Sequence, residues 1–212
     1  MSDSVYKPQR NPSWSQNLVR VLLVCAGCVA ILLPAWLPNN TSAPIERGTV
    51  KLLQAFLLAA AAAIMLGAAP HAGHYRPVCR ILALLLISAV VGEVDDFLSG
   101  ILGWKVPEGW IIGVILTIAL IQTIRHRRAM LHFLAILGNH AASGMVASAL
   151  LILYVFNRVI GTSPFWKAAL GNAYSSEIPR ICKSYLELLA CYFIFIGAIG
   201  LSLTLARRKD HS

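Results

Sequence analysis

The sequence predicts an all-α fold, that of a polytopic membrane protein built as a bundle of about six transmembrane helices. Of its 212 residues, 58% are hydrophobic and only 13% are charged, whereas soluble domains use about a quarter of their residues for charge. Mean hydropathy is +0.70. Several apolar stretches have roughly 20 residues, enough to cross a hydrocarbon core of about 30 Å. Six such spans leave little room for a separate aqueous domain.

Three parts are expected along the chain. Residues 1–17 are polar and form a cytoplasmic tail. Residues 18–206 form the six-helix transmembrane domain, and residues 207–212 form a basic cytoplasmic tail. The six expected spans are residues 18–37, 50–69, 78–98, 110–124, 129–156 and 181–206.

Local features delimit these spans. Trp36 marks the far interface of the first, as aromatic belts do. The alanine run Ala59–Ala63 predicts close helix packing in the second, which ends at Pro70. The basic run Arg125–Arg128 stops the fourth, and the fifth is long enough to need tilt or an interfacial first turn. The sixth ends in the basic residues 207–209.

The distribution of charge predicts the orientation of the chain. With both termini in the cytoplasm, 11 of the 18 Lys and Arg residues flank spans on the inner side and seven on the outer side, as the positive-inside rule requires. The formal net charge of +9 follows from this topology, so a nucleic-acid partner is not expected. The short loops are typical of a bacterial inner-membrane protein, with the lipid bilayer as its surroundings.

Carboxylates at the end of the third span form the first candidate site. Glu93 and Asp96 lie three residues apart on one helix face, whereas Asp95 points about 200° away from Glu93. Such a pair suits a general acid or base, a divalent cation, or an ion pair with Lys105. A solvated helix end is the structural alternative. Glu93 stands out because it lies about a turn inside the membrane, where ionisable side chains are costly.

The start of the sixth span forms the second candidate site. Arg180, Lys183 and Glu187 share one helical stripe, and Lys183 with Glu187 is an i, i+4 pair. With Arg158 from the fifth span, they can close a mixed-charge pocket against the carboxylates of the third. Guanidinium groups bind phosphate and carboxylate in bidentate fashion. An ion-pair network that only fixes helix packing is the alternative.

His140 is the third candidate, since an intramembrane histidine can relay protons or bind a ligand. A neutral imidazole bonded to a neighbouring helix is the interpretation we favour. The other histidines have no carboxylate or thiolate nearby in sequence that would define a metal site. No metal and no cofactor are therefore expected.

Motifs in the second half of the chain resemble a group of small bacterial polytopic inner-membrane proteins without assigned function. The resemblance rests on Glu-x-Asp, Trp-Lys-x-Pro, Asn-Arg-x-x-Gly with a downstream Trp, and Leu-Glu-Leu-Leu before an aromatic. These motifs are residues 93–95, 104–107, 157–161 with 166, and 186–189 with 192. The resemblance implies location in the inner membrane and brings no substrate or reaction with it.

Three functions remain open from the sequence. The first is a binding, transport or accessory subunit whose outer-face polar pocket takes an anionic or zwitterionic ligand, such as a lipid headgroup or a small solute. The second is a lipid-modifying membrane enzyme in which Glu93 or Asp96 acts as general base and an arginine stabilises negative charge. The third is a structural partner of another membrane protein. The expected ligand-binding residues are Glu93, Asp95, Asp96, Lys105, Arg158, Arg180 and Glu187.

Overall fold

The computed structural model describes residues 43–102, 108–137, 141–160 and 162–209, together with positions 22, 24–29 and 31. Within these ranges the chain forms helices joined by short turns, and none of the described residues belongs to a strand. The all-α class is therefore confirmed for this part of the chain.

The chain divides into two units, Met1–Leu37 and Pro38–Ser212. In the first unit the described positions are helical. The expected tail, residues 1–17, and most of the expected first span, residues 18–37, lie outside the described residues. That span stays a prediction.

The second unit contains a series of α-helices, numbered here in chain order. They are α1 (Ala43–Ala68), α2 (Arg76–Leu102), α3 (Glu108–Arg125), α4 (Arg127–Leu137), α5 (Ala141–Leu151), α6 (Asn157–Ile160), α7 (Ser163–Leu170) and α8 (Glu177–Lys209). A π-helical segment, Ile152–Phe156, joins α5 to α6. Two 3₁₀ turns, Ala69–His71 and Gly73–Tyr75, join α1 to α2. Gly73 has a φ of +51°, a conformation that favours glycine.

Three helices in the described part of the chain are long and apolar enough to cross a membrane. The corresponding stretches are Thr49–His71, Gly73–Val94 and Glu177–Leu205. They coincide with the expected second, third and sixth spans. As the sequence predicts, α1 ends just before Pro70, whose ring lacks the backbone N–H that an α-helix needs.

In the region of the expected fourth and fifth spans, the structure differs from the sequence prediction. The helices Gly109–Arg125 and Arg127–Ala135 are long and apolar enough to cross a membrane only if they are taken together. Their axes are inclined to each other by 84°. The chain then resumes with Gly144–Phe156, which is apolar but short, and residues 138–140 between them are outside the description. The described part thus contains three candidate spans, or four if the bent pair counts as one, and the total of about six stays a prediction.

Small side chains bring α1, α2 and α8 together. One buried cluster joins Ala61 and Met65 of α1 with Ala83 of α2 and Ala198 of α8. Ala61 and Ala83 are fully buried, and side chains of this size let helix backbones approach closely. The packing expected from the alanine run is therefore present.

A second cluster fixes the directions of these three helices. It joins Ala69 and Ala72, which follow α1, with Cys79 of α2 and Leu205 of α8. Between the two clusters the residue number rises in α1 and α8 and falls in α2, so α1 and α8 run parallel and α2 runs antiparallel to both. We call the end that carries Gln54 the Gln54 end, and the opposite end the Tyr75 end.

Candidate functional site

Gln54 places a polar side chain inside the helix bundle. It is 2% exposed, and its Nε2 donates a hydrogen bond of 3.0 Å to the carbonyl oxygen of Ser184. A buried amide without a partner would be costly in an apolar environment. The bond ties α1 to α8 and fixes the relative height of the two helices at the Gln54 end.

Glu93 and Glu187 lie at nearly the same height in the bundle. Glu93 is ten residues beyond Ala83 on α2, and Glu187 is eleven residues before Ala198 on α8. At about 1.5 Å per residue, both carboxylates lie roughly 15 Å from the shared alanine cluster, towards the Gln54 end. Helix α1 packs against both α2 and α8, so the two helices that carry these carboxylates share one neighbour.

Both carboxylates are half-buried rather than fully solvated. Each has polar or electrostatic interactions with other groups, as is usual for ionisable side chains within a span. Two carboxylates that lie close together repel each other unless positive charge offsets them. The positive charge that accompanies carboxylates at the Gln54 end can come from a basic side chain of this chain or from the cationic part of a ligand.

Lys183 supplies positive charge to this region. Its Nζ lies 3.9 Å from the Glu187 carboxylate, as the i, i+4 spacing predicts. The Lys183 side chain is 53% exposed and that of Glu187 is 27% exposed. The ammonium group therefore lies nearer to water than the carboxylate that it accompanies.

Arg180 is engaged by a residue that the sequence analysis did not single out. Its guanidinium forms an ion pair with Glu177, one turn earlier on α8, and both side chains are about half exposed. The i, i+3 spacing of the two residues is the signal that could have identified this pair. Arg180 thus pairs with Glu177 on the solvent-exposed side of the first turn of α8.

Four of the expected ligand-binding residues have no described side chain. Asp95 and Asp96 lie on α2 and Arg158 lies on α6, where only the backbone is described. Lys105 lies outside the described residues, as does His140. The backbone of α6 contacts α8, so the helix that carries Arg158 is a neighbour of the helix that carries Lys183 and Glu187.

Gln54 and Ser184 were missed by the sequence analysis. Gln54 is the only amide, hydroxyl or charged side chain between Lys51 and His71. A lone polar residue within a predicted span usually faces protein, and this signal could have found it. Ser184 contributes only its backbone carbonyl, for which no sequence signal exists.

The Tyr75 end has a polar contact of a different kind. The Tyr75 hydroxyl and His132 Nδ1 are hydrogen-bonded at 2.8 Å, and the two rings stack with centroids 6.1 Å apart. His132 is exposed, as expected for a surface histidine. In the described part of the chain, no three His, Cys, Asp or Glu side chains form a group that could hold a metal ion.

Comparison of the chain with protein-family models, with curated proteins and with solved structures gives no match. The resemblance to small bacterial inner-membrane proteins stays a prediction.

Proposed function

We propose that this chain is a multi-pass protein of the bacterial inner membrane whose Gln54 end faces the outside and binds a zwitterionic or anionic ligand. Its role would be that of a binding, transport or accessory subunit. The observation that carries the proposal is that the half-buried carboxylates of Glu93 and Glu187 lie at nearly the same height in one helix bundle. Both termini would lie in the cytoplasm, in agreement with the excess of Lys and Arg expected on that side.

The electrostatics favour a zwitterion over a purely anionic ligand. Placing one ionised side chain at the centre of a span costs about 2.5–3.5 kcal/mol on insertion. Glu93 and Glu187 bring two carboxylates to this end of the bundle, and Lys183 accompanies the second at 3.9 Å. A ligand ammonium group between the carboxylates would reduce their repulsion. A phosphate or carboxylate on the same ligand would then lie towards water, where the exposed Lys183 supplies positive charge.

A phospholipid headgroup has this arrangement of charges. In phosphatidylethanolamine an ammonium group is joined to a phosphate by a two-carbon linker, and the lipid tails extend into the bilayer beside the spans. Arginine and lysine bind phosphate well. We therefore expect phosphatidylethanolamine to bind more tightly than phosphatidylglycerol, which has no ammonium group.

Native mass spectrometry of the purified full chain tests the proposal, with phosphatidylethanolamine and phosphatidylglycerol as probes. The affinity of the double variant Glu93→Gln/Glu187→Gln for phosphatidylethanolamine should be lower by about 10- to 100-fold, which corresponds to the loss of one or two charged hydrogen bonds. Glu177→Gln is the matched control, because Glu177 is an exposed carboxylate on the same helix that pairs with Arg180.

The control should bind as the wild type does. Equal affinity for both lipids in the wild type, or equal losses in the double variant and the control, would contradict the proposal. Chemical conversion of the bound lipid by the wild type would instead support an enzyme. In that case Glu93→Gln should abolish turnover and retain headgroup binding.

A further inference from the structure

Helix α4 turns away from the preceding helix at a run of basic residues. The stretch Arg127–Ala135 is inclined by 84° to Gly109–Arg125, and the change of direction falls within residues 125–128, whose sequence is Arg-His-Arg-Arg. All four side chains are exposed. If α3 crosses the bilayer, α4 therefore runs nearly parallel to the membrane surface at the Tyr75 end.

One face of α4 is fixed to the bundle. Ala129 and Phe133 are 5% and 4% exposed, and they form a buried cluster with Val78 of α2. Tyr75 packs against this cluster and also holds His132 by its hydroxyl. These contacts make α4 part of the folded domain rather than a loosely attached segment.

A second face of α4 is apolar and exposed. Leu131 and Leu134 are 66% and 52% exposed. At roughly 100° per residue, they point about 150° away from Ala129 and Phe133. Helix α4 thus has two separate apolar faces. One packs against the bundle, and the other contacts no part of the described chain closely enough to be buried.

The basic run has no acidic residue near it in sequence. No Asp or Glu occurs between Glu108 and Glu177, a segment that contains all of α4. None occurs between Lys51 and Glu93 either, a segment that contains the 3₁₀ turns beside Tyr75. Residues 125–128 thus form an exposed cluster of positive charge with no carboxylate close to it in sequence. Anionic phospholipids of the cytoplasmic leaflet supply negative charge at this depth.

We propose that α4 is an interfacial helix that lies in the plane of the cytoplasmic membrane surface and binds anionic phospholipid. Leu131 and Leu134 enter the boundary between headgroups and acyl chains to a depth of about 5–10 Å, as amphipathic helices do. Arg125, Arg127 and Arg128 bind the phosphates. Arg127 lies above the exposed leucines, and its long side chain extends to the headgroups.

Depth measurement by spin labelling tests the placement of α4. The full chain is reconstituted in bilayers that contain phosphatidylglycerol, with its five native cysteines replaced and single cysteines introduced by Leu131→Cys, Leu134→Cys or Val114→Cys. Val114 is 56% exposed on α3 and is about 16 Å from Arg125 along the axis. Unchanged thermal stability of the cysteine-free chain establishes that it folds.

Labels at Leu131 and Leu134 should lie at similar, shallow depths, and the label at Val114 should lie deeper. A label at Leu134 as deep as that at Val114 would overturn the proposal in favour of a broken span. Labels at Leu131 and Leu134 that are both in water would overturn it in favour of a helix outside the membrane.

Lipid retention tests the binding of headgroups separately. The affinity for phosphatidylglycerol should fall about fivefold for each arginine removed in the triple variant Arg125→Gln/Arg127→Gln/Arg128→Gln, because each arginine contributes about 1 kcal/mol. Arg207→Gln/Arg208→Gln/Lys209→Gln removes the same net charge from the end of α8 and is the matched control. Because residues 207–209 are expected at the same membrane surface, the control measures the general attraction of basic residues to anionic lipid. The α4 variant should lose more affinity than this control, and equal losses in the two triple variants would contradict a specific role for α4.

Discussion

Gln54 and Ser184 are 130 residues apart in the chain and are joined by a hydrogen bond of 3.0 Å from the Gln54 amide to the Ser184 carbonyl oxygen. This bond joins two parallel helices within stretches that are long and apolar enough to cross a membrane. It sets α1 against α8 at the height where Glu93 and Glu187 lie. The position of α1 against α8 at this end of the bundle thus depends on an uncharged side chain, that of Gln54.

Replacement of Gln54 by methionine should destabilise the protein. Gln54→Met keeps a similar side-chain volume and removes the donor, so the expected loss is about 0.5–1.5 kcal/mol, the range for interhelical hydrogen bonds in membranes. Titration with sodium dodecyl sulfate measures the change. Ser88→Ala is the control, because the Ser88 hydroxyl bonds within its own helix to the Leu85 carbonyl. Equal stability of Gln54→Met and wild type would show that the bond does not hold the helices.

Enlargement of Ala83 should separate the helices of the core. Ala83 is fully buried between α1, α2 and α8, and Ala83→Leu inserts three further carbons, at an expected cost of about 1–3 kcal/mol. Ala63→Leu is the matched control, because Ala63 is exposed on the other side of α1. Thermal unfolding in detergent should give a lower midpoint for Ala83→Leu alone. Similar midpoints for the two variants would contradict the packing described.

Truncation of Phe133 should release α4 from the bundle. Phe133 is buried against Val78, so Phe133→Ala leaves a cavity beneath the helix, whereas Leu134→Ala removes a side chain that is 52% exposed. Trypsin cleavage after Arg127 and Arg128 in detergent should be faster in Phe133→Ala and unchanged in Leu134→Ala. Faster cleavage in both variants would show that the face with Leu134 also holds α4, and unchanged cleavage in Phe133→Ala would contradict its role as the anchor.

Reporter fusions test the proposed orientation. Green fluorescent protein fused after Lys209 should fluoresce, because the C-terminus is expected in the cytoplasm. Alkaline phosphatase, which is active only outside the cytoplasm, should be active when fused after Lys105. The opposite pair of results would reverse the chain in the membrane and place the Gln54 end on the cytoplasmic side.

The sequence predicted those features that depend on composition and short spacing. Long apolar stretches identified α1, α2 and α8, since membrane insertion requires roughly 20 apolar residues. Glu93 and Glu187 stood out because a charge inside such a stretch is rare. The Lys183–Glu187 pair followed from the helical period.

Other features depend on tertiary contacts and could not be predicted in this way. The partner of Gln54 is a backbone carbonyl on a distant helix, and backbone groups leave no trace in the sequence. The bend between Arg125 and Arg127 depends on how Phe133 and Ala129 pack against α2. Spacing alone also could not reveal that Glu93 and Glu187 lie at one height, because that depends on the register of α2 against α8.

Cross-linking of Glu93 to Glu187 tests the central claim most directly. In a cysteine-free background, Glu93→Cys/Glu187→Cys should form an intramolecular link with a short bifunctional thiol reagent in membranes, identified by mass spectrometry of the digested chain. Glu93→Cys/Glu177→Cys is the control, because Glu177 lies ten residues earlier on α8, about 15 Å further along the axis. The account predicts a link in the first pair and little or none in the second. No link in the first pair, or equal linking in both, would contradict the convergence of the two carboxylates.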